Sequence, residues 1–270
     1  MTNTSTPLFH RLFSLAGKTA LITGASGGIG QVLAIALAQA GATVGVHGLT
    51  SAKVKETCRL VEEAGGRAIP LIADIIKVEA CRNLMIEAHA GLGQLDVLIN
   101  CAGINRRKPM AEVTLDDYEA IMNLNLRSSY FLCQAAHPIM QAQGGGKIIN
   151  IGSVNSVYGL GTISVYGASK AGLAQVTRVM AVEWAKDNIQ VNFIIPGFIL
   201  TPLTEKPLWG DGYKSQWLQD RIPAQRPGLP EDLVGATLLL ASPASSYMTG
   251  STIVVDGGFL AGGSWEHGES

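Results

Sequence analysis

The fold of this chain is decided by the stretch Lys18-Thr-Ala-Leu-Ile-Thr23-Gly24-Ala-Ser26-Gly-Gly28-Ile29-Gly30. Its first six residues predict a short buried strand, and a helix is predicted directly afterwards. Glycines at a strand-to-helix turn permit positive φ and a close approach of ligand to backbone, while the free N–H groups of the helix favour a phosphate. The stretch therefore predicts a dinucleotide cradle.

Apolar runs rich in β-formers alternate with helical segments along the whole chain. The strands are predicted at 18–23, 42–47, 67–72, 95–99, 146–151, 190–195 and 251–255, and the helices at 28–40, 51–65, 77–92, 114–143, 164–187 and 230–241. Such alternation within one sheet demands parallel strands with right-handed crossovers. We predict one α/β domain over residues 1–270, a Rossmann-type doubly wound parallel sheet of about seven strands with helices on both faces.

Composition narrows the classes of partner. The chain has 270 residues, 47% of them hydrophobic, which suits one large core, and its formal net charge of −1 gives no reason to expect nucleic acid or an anionic membrane. Its four cysteines lack metal-ligand spacing, and Met1–Thr6 is polar rather than a secretion signal. We expect a soluble cytoplasmic protein that binds small molecules and no metal.

Tyr166 and Lys170 are four positions apart, which on a helix places both side chains on one face. A free tyrosine has a pKa of about 10, and an adjacent positive charge favours its phenolate. We predict that Tyr166 transfers the proton of an alcohol oxygen, that Lys170 lowers the pKa of Tyr166, and that Ser153 donates a hydrogen bond to the same oxygen.

The chain resembles the classical short-chain dehydrogenases/reductases from about residue 15 to 259, through Thr23-Gly-x-x-x-Gly-x-Gly30, Asn100-Cys-Ala-Gly103, Asn125, Ser153, Tyr166-x-x-x-Lys170 and Pro196-Gly197. The resemblance implies that Asn125 holds a water in a proton relay and that Asp74 binds the adenine amine. It also implies a homotetramer, to which Ser251–Val255 and the Ala261–Ser264 tail would contribute. The implied cofactor contacts are Gly24, Ser26, Gly28, Ile29, Gly30, Leu49, Thr50, Asp74, Ile75, Asn100, Ala102, Gly103, Tyr166, Lys170, Pro196, Gly197, Ile199 and Thr201.

The choice between NAD and NADP depends on the residues after the second strand. An NAD-preferring member usually has an acid near Gly48 for the ribose 2′-hydroxyl, and none is present. The basic residue that often marks NADP is also missing at Leu49 and Gly27. Thr50, Ser51 and Lys53 could contact a 2′-phosphate, so the sequence favours NADP over NAD.

The segment Asn105-Arg106-Arg107-Lys108-Pro109 follows the Asn100 motif and should lie near the mouth of the cleft. Arginine suits bidentate contact with a carboxylate, so we predict Arg106 and Arg107 as substrate residues, with Ser153 and Asn155. The alternative is a solvated basic turn. Together with residues 221–230, the segment resembles the gluconate 5-dehydrogenase and 2-deoxy-gluconate 3-dehydrogenase branch of the family.

Residues 200–228 carry Trp209, Tyr213 and Trp217 among prolines and glycines. The resemblance implies a substrate lid here, and a packed helical insertion is the alternative. We predict an NAD(P)-dependent oxidoreductase that acts on a secondary alcohol or ketone of a sugar acid such as gluconate or 5-ketogluconate. The alternatives are a 3-oxoacyl-carrier-protein reductase and, from another class, a non-catalytic nucleotide-binding regulator.

Overall fold

The computed structural model describes residues 7–263. Two expectations from the sequence lie outside those residues: the absence of a secretion signal at Met1–Thr6, and the contribution of Ser264 to an interface. Within 7–263, no helix is long and apolar enough to cross a membrane.

Seven parallel strands form one sheet in the order β3-β2-β1-β4-β5-β6-β7. The strands are β1 (Thr19–Thr23), β2 (Thr43–Gly48), β3 (Arg67–Ile72), β4 (Val97–Asn100), β5 (Gly146–Ile151), β6 (Ile189–Pro196) and β7 (Thr252–Val255). The α-helices are α1 (Leu8–Phe13), α2 (Gly28–Gln39), α3 (Ser51–Glu63), α4 (Val78–Leu92), α5 (Leu115–Met122), α6 (Ser128–Ala142), α7 (Ser164–Trp184), α8 (Gly212–Arg221) and α9 (Val234–Ala241). The predicted fold class is confirmed.

Both faces of the sheet are covered, which explains its nearly continuous apolar strands. Every residue of β1 is buried, with Ile22 facing Leu33 and Leu37 of α2 on one side. On the other side, Leu21 belongs to the core that α4 and α6 form. Because β1 pairs with both β2 and β4, the strand order reverses beside it. In such sheets the crevice at this switch point, beyond the carboxyl ends of the strands, is where ligands bind.

The predicted helix 114–143 is interrupted in the structure. Thr114 caps its start in a capping box with Asp117, as the sequence indicates. A π-helical segment, Asn123–Arg127, then separates α5 from α6. Such π segments are frequent at functional sites. Here the segment contains Asn125, whose side chain is fully buried. It hydrogen-bonds to a neighbouring loop instead of lying exposed on the surface of the helix.

The predicted lid, residues 200–228, contains a π-helical turn at Glu205–Trp209 and then α8. Leu218 of α8 and the following Ile222 are buried against Phe193 and Phe259. The segment is therefore a packed helical insertion, and its role as a lid over substrate stays a prediction. It also borders the site described below, because Tyr213 and Trp217 line the cavity there. Trp209 packs into the core of the insertion.

Candidate active site

A cavity of about 1510 Å³ opens at the carboxyl ends of the strands, at the switch point beside β1. Most of the residues predicted from the sequence to contact cofactor or substrate line this cavity. They are Gly24, Ser26, Gly28, Ile29, Gly30, Leu49, Asp74, Ile75, Ala102, Gly103, Arg107, Ser153, Asn155, Tyr166, Lys170, Pro196, Gly197, Ile199 and Thr201.

Four predicted site residues do not line the cavity: Thr50, Asn100, Arg106 and Asn125. Thr50 is exposed and precedes α3, whose first turn instead brings Ala52 and Lys53 to the cavity. Asn100 is buried, and its Nδ2 donates to the side-chain Oδ1 of Asn150 at 2.8 Å, so it joins β4 to β5. Its side chain supports the sheet instead of facing a ligand.

The glycine-rich turn packs so closely at two positions that only glycine fits there. Gly24 has φ of +68°, and a Cβ there would lie 2.7 Å from the Cα of Ala102. A Cβ on Gly30 would lie 2.5 Å from the carbonyl oxygen of Gly24. The turn is thus tightly packed against its own backbone and presents the start of α2 to the cavity. These residues fit a dinucleotide pyrophosphate, which would lie at the N-terminus of α2.

His47 supports this turn and was not predicted from the sequence. Its ring is buried, its Nε2 is 3.1 Å from the carbonyl oxygen of Ala73, and its Nδ1 is 3.4 Å from the backbone N of Gly24. A neutral ring with its proton on Nε2 satisfies both contacts. Burial lowers the pKa of His47, which favours that neutral form. The one signal in the sequence was a polar residue within an otherwise apolar strand.

The region beside Gly48 is where the adenosine ribose of a dinucleotide would bind, so its residues bear on the choice between NAD and NADP. A Cβ on Gly48 would lie 2.7 Å from the Cβ of Ser26 and 2.8 Å from Cγ2 of Val54. An acidic side chain therefore has no space at this position. Lys53 reaches the cavity from α3 and has no ion pair within residues 7–263.

Ser153, Tyr166 and Lys170 also line this cavity. Ser153 follows the end of β5, and its hydroxyl accepts from the backbone N–H of Asn155 at 3.2 Å. Tyr166 lies in the first turn of α7, one helical turn before Lys170. The helix thus presents the phenol and the ammonium on one face, beside the serine of the neighbouring strand.

The pKa of Tyr166 is shifted by its burial and by two neighbouring side chains. Burial raises the pKa of Tyr166, while the Ser153 hydroxyl and the Arg107 guanidinium lower it. The effect predicted for Lys170, a lowering of the pKa of Tyr166, stays a prediction. Lys170 itself is almost fully buried, and burial lowers its pKa to about 8.

Asn125 lies behind this group and contacts the backbone of the loop that follows Gly103. Its amide Nδ2 donates to the carbonyl oxygen of Ile104 at 2.9 Å, and its Oδ1 accepts from the Ile104 N–H at 2.9 Å. The Asn125 side chain therefore hydrogen-bonds to both backbone polar groups of Ile104 and fixes this residue of the loop. The role that the resemblance implies for Asn125, holding a water in a proton relay, stays a prediction.

The three adjacent cations after Asn105 are separated by the structure. Arg106 and Lys108 both pair with the buried carboxylate of Asp117, and Arg106 also pairs with Asp116. Arg107 lines the cavity and makes no hydrogen bond or ion pair with the part of the chain that the structure describes. Arg106 is thus turned away from substrate because its partners lie on α5, and one cation of the three faces the cavity.

Comparisons with known proteins agree with this geometry. A sequence profile described as enoyl-(acyl carrier protein) reductase matches residues 24–260. The chain is 46% identical over 250 residues to 2-dehydro-3-deoxy-D-gluconate 5-dehydrogenase of Escherichia coli (strain K12), covering 92% of this chain and 98% of that protein. It is 38% identical over 247 residues to gluconate 5-dehydrogenase of Gluconobacter oxydans (strain 621H), covering 92% and 96%.

A solved structure shares the fold closely. The gluconate 5-dehydrogenase from Burkholderia cenocepacia J2315, in complex with NADP and tartrate, matches with a TM-score of 0.90 at 38% identity, covering 94% of this chain and 99% of that one. The chain belongs to the short-chain dehydrogenase/reductase family, a family of oxidoreductases. The family predicted from the motifs is confirmed.

Proposed function

We propose that this protein is an NADP-dependent oxidoreductase that interconverts the hydroxyl and keto forms of carbon 5 in a six-carbon sugar acid. The observation that carries the proposal is the meeting of Ser153, Tyr166 and Lys170 in the same cavity as the glycine-rich turn. Two relatives named above are 5-dehydrogenases of gluconate or its dehydro-deoxy derivative, which supports both the position on the sugar and the substrate class.

Each residue of the group has a distinct task in this reaction. Tyr166 removes the proton of the substrate hydroxyl, or returns it to the ketone oxygen in the reverse direction. Ser153 donates a hydrogen bond to that oxygen while its charge changes. Lys170 places a positive charge near the phenol and offers N–H groups to a ribose. A cofactor bound in the cradle would supply the hydride chemistry, as acceptor in its oxidised form NADP⁺ and as donor in its reduced form NADPH.

The position of Lys53 favours NADP over NAD as the cofactor. A 2′-phosphate carries negative charge, and Lys53 is the cation of α3 that reaches the cavity. The lack of space for an acid at Gly48 removes the usual device for selecting NAD. The NADP bound to the Burkholderia enzyme, whose chain this one matches over most of its length, agrees with this preference.

The position of Arg107 favours a substrate that carries a carboxylate. A guanidinium that lines the cavity without an acidic partner is suited to bind a carboxylate through two parallel hydrogen bonds. In this arrangement the carboxylate of the sugar acid binds Arg107 while its C5 oxygen lies between Ser153 and Tyr166. Asn155, which also lines the cavity, is available to the intervening hydroxyls.

A substrate panel with both cofactors tests the proposal. Nicotinamide fluorescence would be followed with gluconate, 5-ketogluconate, 2-dehydro-3-deoxygluconate and an acetoacetyl thioester, each with the NADP and the NAD couple. We expect turnover of at least one sugar acid and preference for NADP. Turnover of the thioester alone would indicate a 3-oxoacyl-carrier-protein reductase, and cofactor binding without turnover of any compound would indicate a non-catalytic regulator.

We also propose that residues 1–270 form one domain that assembles as a homotetramer in the cytoplasm. Large apolar side chains that are exposed on the single chain support assembly, among them Tyr118, Val182 and Val254, which are 48%, 81% and 47% exposed. All four cysteines are free thiols, as is usual in a reducing compartment. Light scattering of the purified protein tests the tetramer.

A further inference from the structure

The loop that carries Arg107 is fixed on both sides of this residue. On its N-terminal side, Ile104 is held by both polar groups of Asn125. On its C-terminal side, the backbone N–H of Lys108 donates to the carbonyl oxygen of Thr162 at 2.8 Å. Thr162 has φ of +68°, a strained conformation for a β-branched residue, and its loop leads into α7 just before Tyr166.

The side chains on either side of Arg107 share one buried anchor. The carboxylate of Asp117 accepts from Lys108 Nζ at 2.6 Å and from Arg106 Nη1 at 3.2 Å. Asp117 holds Arg106 and Lys108 on one side of the loop, whereas Asn105 and Arg107, before and between them, face the other side. The other side is the cavity.

Asp117 is itself rigidly held. Its Oδ2 accepts from the Thr114 hydroxyl at 2.8 Å, and its backbone N–H donates to the same hydroxyl at 3.2 Å. The side chain is only 6% exposed, and the hydrogen bond from Lys108, followed by those from Thr114, holds the pKa of Asp117 well below its usual range. These hydrogen bonds therefore favour the charged form of the anchor.

The charges around the anchor also balance. Arg106 and Lys108 are matched by the two carboxylates of Asp116 and Asp117. Arg107 is then the one charge of this loop that is not compensated within residues 7–263. A carboxylate approaching the cavity meets this cation rather than a diffuse cluster of three.

We infer that Asp117 is a positioning residue for substrate: it neutralises Arg106 and Lys108 and fixes the loop so that Arg107 alone faces the substrate carboxylate. This inference rests on the proposed function. A fixed guanidinium binds a carboxylate without first losing its own conformational freedom, so the anchor contributes to affinity for anionic substrates. Asp117 itself does not line the cavity, so we expect the anchor to act on substrate affinity rather than on cofactor binding.

The test compares Asp117→Asn with Asp116→Asn in the enzyme loaded with NADP(H). Asp116 is the matched control, because it also pairs with Arg106 but is 84% exposed. For Asp117→Asn we expect the KM for the sugar acid to rise about ten-fold or more, with kcat within about two-fold and the Kd of NADPH unchanged. For Asp116→Asn we expect all three within about two-fold. Thermal unfolding of each variant reports whether it is folded.

An unchanged KM in Asp117→Asn, a fall in kcat without a rise in KM, or an equal effect of Asp116→Asn would overturn the inference. If Asp117→Asn does not fold, Lys108→Met carries the same test, because it releases the loop from the anchor while keeping the aliphatic stem. Binding of tartrate to the NADP-loaded protein is measured in parallel and is expected to weaken with the KM. Failure of the wild type to turn over any sugar acid would contradict the proposed function, whereas tartrate binding that is equal in wild type and variants would contradict the anchor.

Discussion

The Nζ of Lys170 donates a hydrogen bond of 2.8 Å to the backbone carbonyl oxygen of Ile151, the last residue of β5. The bond ties the helix that carries Tyr166 to the strand that leads into Ser153. An ammonium has three N–H donors, and this bond uses one of them. Two donors are left for ligands, so Lys170 can fix the geometry of the group and contact a bound ribose at the same time.

Lys170 should lower the stability of the fold. Burial lowers its pKa to about 8, from 10.5 in an exposed lysine. The pKa of Lys170 is thus lower in the folded state than in the unfolded state. As pH falls from 10.5 toward 8, the unfolded state takes up the proton first, so the stability that the folded state has above pH 10.5 is lost. Below pH 8 the full shift applies, on the order of 3 kcal/mol. We predict that Lys170→Met, free of ligand, unfolds in urea with a higher free energy than wild type at pH 7.

The same pair of proteins provides the control. As pH rises from 8 to 10, the difference in unfolding free energy between Lys170→Met and wild type should shrink, because the folded wild type then carries a neutral amine. Groups common to both proteins cancel in this comparison. A difference that stays constant over this range would show that burial of the ammonium is not its cause.

Gly30→Ala should damage the cradle. Its Cβ would lie 2.5 Å from the carbonyl oxygen of Gly24, which is backbone and can move only with the whole turn. We expect a loss of about 1–3 kcal/mol in the free energy of unfolding and weaker NADPH binding. Gly27→Ala is the control, since nothing lies within 4 Å of the Cβ it would add. Its stability should stay within about 0.5 kcal/mol of wild type; equal losses in both would contradict the packing described for Gly30.

Lys53→Glu should reverse the cofactor preference. Lys53 lines the cavity, and a carboxylate there would repel a 2′-phosphate. We predict that the KM for NADPH rises about ten-fold or more while the KM for NADH changes by less than about three-fold. Lys55→Glu is the matched control, because Lys55 lies on the same helix but does not line the cavity. A similar rise in Lys55→Glu would mean that net charge, rather than contact, sets the preference.

The sheet and the main site could be predicted because local patterns determine them. The sequence predicts strands 67–72 and 146–151 at the residues that the structure has, since the strands of such a sheet are short apolar runs. The glycine-rich turn, Ser153 and the Tyr166 pair each sit at the end of an element or on one helix face. Their convergence on one cavity follows from the topology of the sheet.

The features that the sequence did not reveal depend on distant contacts. The sequence does not distinguish the roles of Arg106, Arg107 and Lys108. In the structure, the carboxylate of Asp117 on α5 pairs with the first and the third of them but not with Arg107. Asn125, in the π-helical segment, hydrogen-bonds to the Ile104 backbone, and no helical periodicity indicates this contact. The spacing predicts that Lys170 acts on the phenol, whereas no local pattern indicates that the tertiary fold also brings the Arg107 guanidinium close enough to lower the pKa of Tyr166.

The central claim is that Tyr166 transfers the proton in the reduction of a sugar-acid ketone by NADPH. Its most direct test is the single-turnover rate of Tyr166→Phe with 5-ketogluconate and NADPH, measured beside the Kd of NADPH. The account predicts an unchanged Kd and a rate lower by about 10²–10⁴-fold, because the phenylalanine ring keeps the packing and removes the hydroxyl. A rate within a few-fold of wild type would contradict it.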